Sequence, residues 1–131
     1  MIGLPQKRQT RPTVTVSIGE AGINVVKIEG VLRDPDIESW LSPIIAEVHD
    51  FAVDHGLPEV VLDIHKLEYA NASAWRCLVQ WLHLIHRASK AKYQLRIRSQ
   101  PAYHWQMVGM STLRIFGRDC LIIEELGGAT T

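Results

Sequence analysis

The sequence predicts an α/β fold, a mixed β-sheet with helices packed on it in the order β-β-α-β-α-β-α-β. Three observations predict it. Two alternating segments near the N-terminus flank a short turn, which is the pattern of a strand pair. One short, nearly continuous apolar run, "EVVLDIH" (59–65), has the pattern of a central strand buried on both faces. The rest of the chain alternates helical and strand periodicity, which implies a sheet covered by helices.

The elements follow in order. Residues 1–12 are polar and basic with two prolines, and are expected to form a loose tail. "TVTVSI" (13–18) and "INVVKIEG" (23–30) are the strand pair, turned at "EAG". In "RDPDIESW", Asp34 is placed to cap a helix, Pro35 suits its first position, and Asp36 and Glu38 favour the positive end of its dipole. Ile37, Trp40, Leu41, Ile44, Ile45, Val48 and Ala52 keep helical spacing until Gly56 and Pro58 stop it, and Pro43 costs little near the start. After the 59–65 strand, Trp75, Leu78, Val79, Leu82 and Ile85 define a second helix reaching about Lys90. "YQLRIR" (93–98) is a strand, 102–117 a weaker helix interrupted by Gly109, and "CLIIEE" (120–125) a last strand. One domain is expected over 13–126, with 127–131 as a tail.

With 131 residues, 47% hydrophobic and 21% charged, the chain has the composition of a globular domain rather than a disordered one. No apolar run reaches the roughly 18 residues needed to span a bilayer, and "MIGLPQKRQTRP" lacks the apolar core of a signal peptide. The expected compartment is the cytoplasm, with no membrane association. Cys77 and Cys120, without CxxC spacing, are expected to be buried free thiols.

Net charge is zero but unevenly placed. Eleven carboxylates face three cations between Glu20 and Glu68, whereas Tyr69 to Arg118 holds eight cations and no carboxylate. That half either attracts an anionic partner or a phosphate, or is neutralised by acidic elements beside it. Nucleic acid is not the expected partner, because the isoelectric point is near 7 and the tryptophans fall on helix faces.

Catalytic signatures are missing. The turns contain neither GxGxxG nor GxxxxGK, so no cofactor is expected, and Ser73 in "NASAW" is not a GxSxG elbow. His65 has the place of a surface or capping residue. His83 and His86 read as a solvated helix face rather than metal ligands. The expectation is a protein that is not an enzyme.

One stretch remains, "LEYANASAWRCLVQWL" (67–82), where small residues and the hydroxyl of Ser73 lead from a strand-like edge into the second helix. Ser73 or Asn71 is a plausible N-cap. A phosphate on Ser73 would be tolerated at a helix N-terminus, and Arg76 could pair with it.

The element order, "VVLDIH" and this turn resemble a STAS domain, the fold of bacterial anti-sigma factor antagonists, over residues 13–125. The family turn, Asp-Ser-Ser/Thr-Gly, is matched by Asn71, Ala72, Ser73 and Ala74, so Asn71, Ala72 and Ala74 are departures. The pattern Asn71, Ser73, Arg76, Val79, Trp81, Leu82 looks closer to a divergent, STAS-like group of regulators. The resemblance implies that Ser73 takes the place of the hydroxyl phosphorylated by a partner kinase. It implies a partner-switching regulator whose docking surface comprises Arg33, Asp34, Glu68, Asn71, Ser73, Arg76, Gln80, His83 and Arg87. The implied partners are a Ser/Thr kinase-type anti-sigma factor, or another signalling enzyme such as a diguanylate cyclase, together with a phosphatase; a homodimer stays open. The alternative is a small-ligand- or lipid-binding sensor with a pocket lined by Trp40, Trp75, Trp81 and Trp105.

Overall fold

The computed structural model describes residues 2–88 and 92–125, apart from the side chain of Arg118. Seven strands and three helices follow the order β1 (Lys7–Thr10), β2 (Val14–Ile18), β3 (Val25–Leu32), α1 (Ile37–Asp54), β4 (Glu59–Asp63), β5 (Leu67–Ala70), α2 (Ala72–Arg87), β6 (Gln94–Ser99), α3 (His104–Gly117) and β7 (Leu121–Glu125), with a 3-10 turn over Arg118–Cys120. The sheet order is β1-β2-β3-β4-β6-β7. The β1–β2 and β2–β3 pairs are antiparallel, and the others are parallel. The expected mixed sheet with packed helices is therefore the observed architecture.

The periodicity explains the layers. Val14, Val16 and Ile18 of β2, Val26 and Ile28 of β3, Val60 and Leu62 of β4, and Leu95 and Ile97 of β6 alternate onto one face, where the helices close the core. Val25 and Val61 are equally buried but lie outside that cluster, on the opposite face. On that face lie ion pairs of Arg96 with Glu59 and Glu124, and of Arg98 with Glu124.

Several expectations are corrected. Residues 1–12 are not simply a loose tail. Leu4 buries its side chain and donates its amide to Ile23 O at 2.6 Å, Lys7–Thr10 pairs with β2, and the Arg11 guanidinium lies 4.5 Å from the centre of the Trp40 ring. Because β1 is an edge strand with a mostly exposed, polar sequence, it carries no alternating signal. Asp34 does not cap α1: the helix begins at Ile37 with Asp36 at the N-cap position and no side-chain cap bond, while Ser39 Oγ donates to Asp36 O at 2.6 Å. Cys120 falls in the 3-10 turn rather than the last strand. Lys90 and the 127–131 tail lie outside the described residues.

β5 was absent from the expected order. The chain leaves β4 at Asp63 and returns at Leu67 to pair with Gly30–Leu32, so β4 and β5 share one edge of β3 in succession. Gly30 makes the junction. Its φ is +107°, a Cβ there would overlap Thr13 O, and its amide donates to Lys66 O at 3.1 Å. This returning strand delivers the 71–74 turn beside the end of β3.

Candidate functional site

The site lies where β3, β5, α1 and α2 meet. Asn71 holds it together. Its backbone amide donates to Leu32 O at 2.9 Å, its Nδ2 reaches Asp34 O at 3.4 Å, and its Oδ1 accepts the Ala74 amide at 3.0 Å. Asn71 is thus the N-cap of α2, in extended conformation, and ties the 32–34 loop to the start of that helix. Of the two cap candidates, Asn71 takes the role and Ser73 does not.

Ser73, half-buried in the first turn of α2, accepts a hydrogen bond from Arg76 Nη2 at 2.9 Å. The same guanidinium pairs with Glu38 of α1, with Nη2 3.0 Å and Nε 3.1 Å from Oε1. Glu38 therefore competes for Arg76, although the linear sequence puts no carboxylate near it. Among the described residues, Ser73 Oγ makes no cap bond, so the hydroxyl stands at the positive end of α2 beside a cation already in place.

The other expected residues divide into two places. Arg33, Glu68 and Asn71 border a shallow depression with Val31 and Tyr69. Gln80, His83 and Arg87 instead line the groove between α1 and α2, with Ser42 and Cys77 on its floor. Cys77 Sγ lies 3.5 Å from Ser42 Oγ, and burial pushes its thiol up from the ordinary value. Cys77 and Cys120 are both buried and free. Arg76, Arg96 and Arg98 find carboxylate partners, so part of the basic half is neutralised in the fold.

The histidines differ in role. His65 Nδ1 bonds the buried Asp63 carboxylate. His83 is exposed as expected, and His86 is half-buried, its Nε2 3.1 Å from Phe116 O and 3.6 Å from Cys120 Sγ, joining α2 to the end of α3. His49, which the sequence did not single out, is buried with Nδ1 2.8 Å from Tyr93 Oη, and Trp81 Nε1 donates to that same oxygen at 2.7 Å. Desolvation lowers the His49 pKa and raises that of Tyr93, so a neutral imidazole shares this hydrogen bond with a neutral tyrosine hydroxyl. Conversion of one apolar helix position into His49 was the only available sequence signal.

The four tryptophans do not line one pocket. Trp40 and Trp81 are buried in the core, whereas Trp75 and Trp105 meet edge to face at 5.7 Å. The space between the sheet and these helices is about 10 Å³, room for no more than about one water. Among the described residues no three His, Cys, Asp or Glu side chains gather as metal ligands, and no helix is long and apolar enough to cross a membrane.

No protein-family model matches the chain, and no curated protein matches its sequence. A solved structure of an anti-sigma factor antagonist from Mycobacterium paratuberculosis is similar in fold, with a TM-score of 0.50 and 14% identity over 90% of this chain and 84% of that one. The fold is STAS-like.

Proposed function

We propose that this protein is a non-enzymatic regulator of a partner-switching system, similar to an anti-sigma factor antagonist, that binds a partner protein under control of phosphorylation at Ser73. The observation that carries the reading is the division of labour in the 71–74 turn. Asn71 caps the helix, which leaves Ser73 Oγ outside the cap and held 2.9 Å from Arg76. The fold likeness to an anti-sigma factor antagonist supports the same class.

The chemistry of the switch follows from charge. A phosphate on Ser73 brings about −1.5 to −2 charge to a helix N-terminus. Arg76 can turn from Glu38 toward it without moving its backbone, because Nη2 already touches both. The domain then keeps its fold while its surface at Arg33, Asp34, Glu68 and Asn71, already net negative by one charge, becomes more negative by about 1.5 to 2 charges. In this reading a Ser/Thr kinase-type anti-sigma factor, or another signalling enzyme, is the partner, a phosphatase resets the serine, and the system is bacterial and cytoplasmic.

Phosphopeptide mass spectrometry of the native protein, with Ser73→Ala as control, tests the reading. A phosphate on Ser73 that alters partner affinity is the expected result. Its absence under all growth conditions, with Ser73→Ala binding its partner as the wild type does, would overturn it.

A further inference from the structure

The charges of α1 run against what stabilises a helix end. Its 18 residues hold four carboxylates and no lysine or arginine, and its last turn has no basic residue. Three of the four, Glu47, Asp50 and Asp54, follow at spacings of three and four along one face of its C-terminal half. Like charges at that spacing repel, and the negative end of the helix dipole disfavours them further. These carboxylates rim a cleft of about 340 Å³ between α1 and the N-terminal segment, within the size range of small-molecule sites. Inside, the cleft is apolar. Leu4, Ile18 and Val48, all buried, form its floor, and the Phe51 ring beside them stacks on His55 with centroids 4.0 Å apart. The opposite wall is held in place, because the Leu4 amide is bonded to Ile23 O and Lys7 belongs to the β1–β2 pair.

We propose that this cleft binds a small organic cation, an ammonium group carried on an aromatic body. Charge and shape select it together. Among the described residues, the cleft is lined by three carboxylates and one ammonium, Lys7, whose Nζ lies 2.8 Å from Glu47 Oε2. Asp50 and Asp54 make no ion pair with any described residue. His55 Nδ1 lies 3.1 Å from Phe51 O, an atom that only accepts, so Nδ1 carries the hydrogen and Nε2 of the neutral ring is a further acceptor. The rim is thus short of positive charge, and an anion meets repulsion there. The floor takes an apolar body, and the stacked Phe51 and His55 rings favour an aromatic one. A lysine of another protein has the same head but brings no ring to them. Twelve residues, or about 18 Å of helix, separate Asp50 from Glu38 beside the Ser73 turn, so this site stands apart from the phosphorylation reading.

The test uses the full chain with phenylbutylammonium as probe and phenylbutyrate, phenylbutanol and ethylammonium as controls. Two-dimensional NMR follows both the affinity and the residues that shift. Phenylbutylammonium is expected to bind saturably, with Kd at or below about 1 mM, and to shift Ile18, Val48 and Phe51. Removing its charge or its ring is expected to weaken binding about fivefold or more. Asp50→Asn and Asp54→Asn, both at exposed positions, are each expected to weaken it by about as much, and Lys7→Gln to tighten it. Thermal melts of the two Asn variants at or above wild type verify their folding, since each removes a like charge from the negative end of α1. Ser73→Ala is expected to bind the probe as the wild type does, which separates this site from the switch. No saturable binding of phenylbutylammonium, equal binding of phenylbutanol or phenylbutyrate, or an affinity indifferent to both Asn variants would overturn the proposal. So would shifts confined to other faces, or a lysine-containing peptide that occupies the cleft more tightly than the amine.

Discussion

Arg76 Nη2 lies 2.9 Å from Ser73 Oγ and 3.0 Å from Glu38 Oε1, so one guanidinium edge serves a hydroxyl on α2 and a carboxylate on α1. The arrangement is exposed, and its contribution to the resting fold is small, on the order of 0 to 1 kcal/mol. A charge placed on Ser73 is where it matters.

With phosphoserine installed at position 73, Arg76→Gln is expected to cost about 1 kcal/mol more than the same change in the unmodified protein. The cause is exchange of a neutral hydroxyl for a charge-assisted bond. Urea melts of the four species form a double-mutant cycle. Strict additivity would mean that Arg76 stays with Glu38.

The two residues of the turn should separate in stability measurements. Asn71→Ala removes the cap on the Ala74 amide and is expected to cost about 0.5 to 2 kcal/mol. Ser73→Ala removes no cap and is expected to change stability by less than about 0.5 kcal/mol. Thermal melts of the two variants side by side measure the difference.

His49 makes stability pH-dependent. Its folded pKa lies below the ordinary value of 6.5 because burial disfavours the imidazolium. The unfolded chain therefore binds the proton first. The contribution is full above about pH 6.5 and declines as pH falls from there toward the folded pKa, with a slope of at most about 1.4 kcal/mol per pH unit. His49→Gln is expected to flatten urea midpoints between pH 7.5 and 5, whereas an unchanged slope would assign the effect to other groups.

Gly109→Ala is expected to destabilise by about 1 to 3 kcal/mol, against the roughly 1 kcal/mol that alanine gains in a helix. A Cβ at Gly109 overlaps the six-membered ring of Trp75. Combining it with Trp75→Leu, which frees that space, should recover part of the loss. A single variant as stable as wild type in chemical denaturation would show that the α2–α3 packing yields.

The sequence by itself determined the fold class, the three helices and five of the seven strands, β2, β3, β4, β6 and β7, because their apolar periodicity arises locally and survives in any packing. It also determined that Ser73 stands at a helix start without nucleophile machinery. Only the tertiary structure decided the rest. β1 reads as polar chain because an edge strand needs no buried face, and β5 is too short to have a period. Glu38 and Arg76 are 38 residues apart, so their competition beside Ser73 exists only once α1 and α2 pack. The choice of Asn71 over Ser73 as the cap depended on Asn71 being drawn to Leu32 and Asp34, bonds that form across the sheet and leave no trace in local spacing.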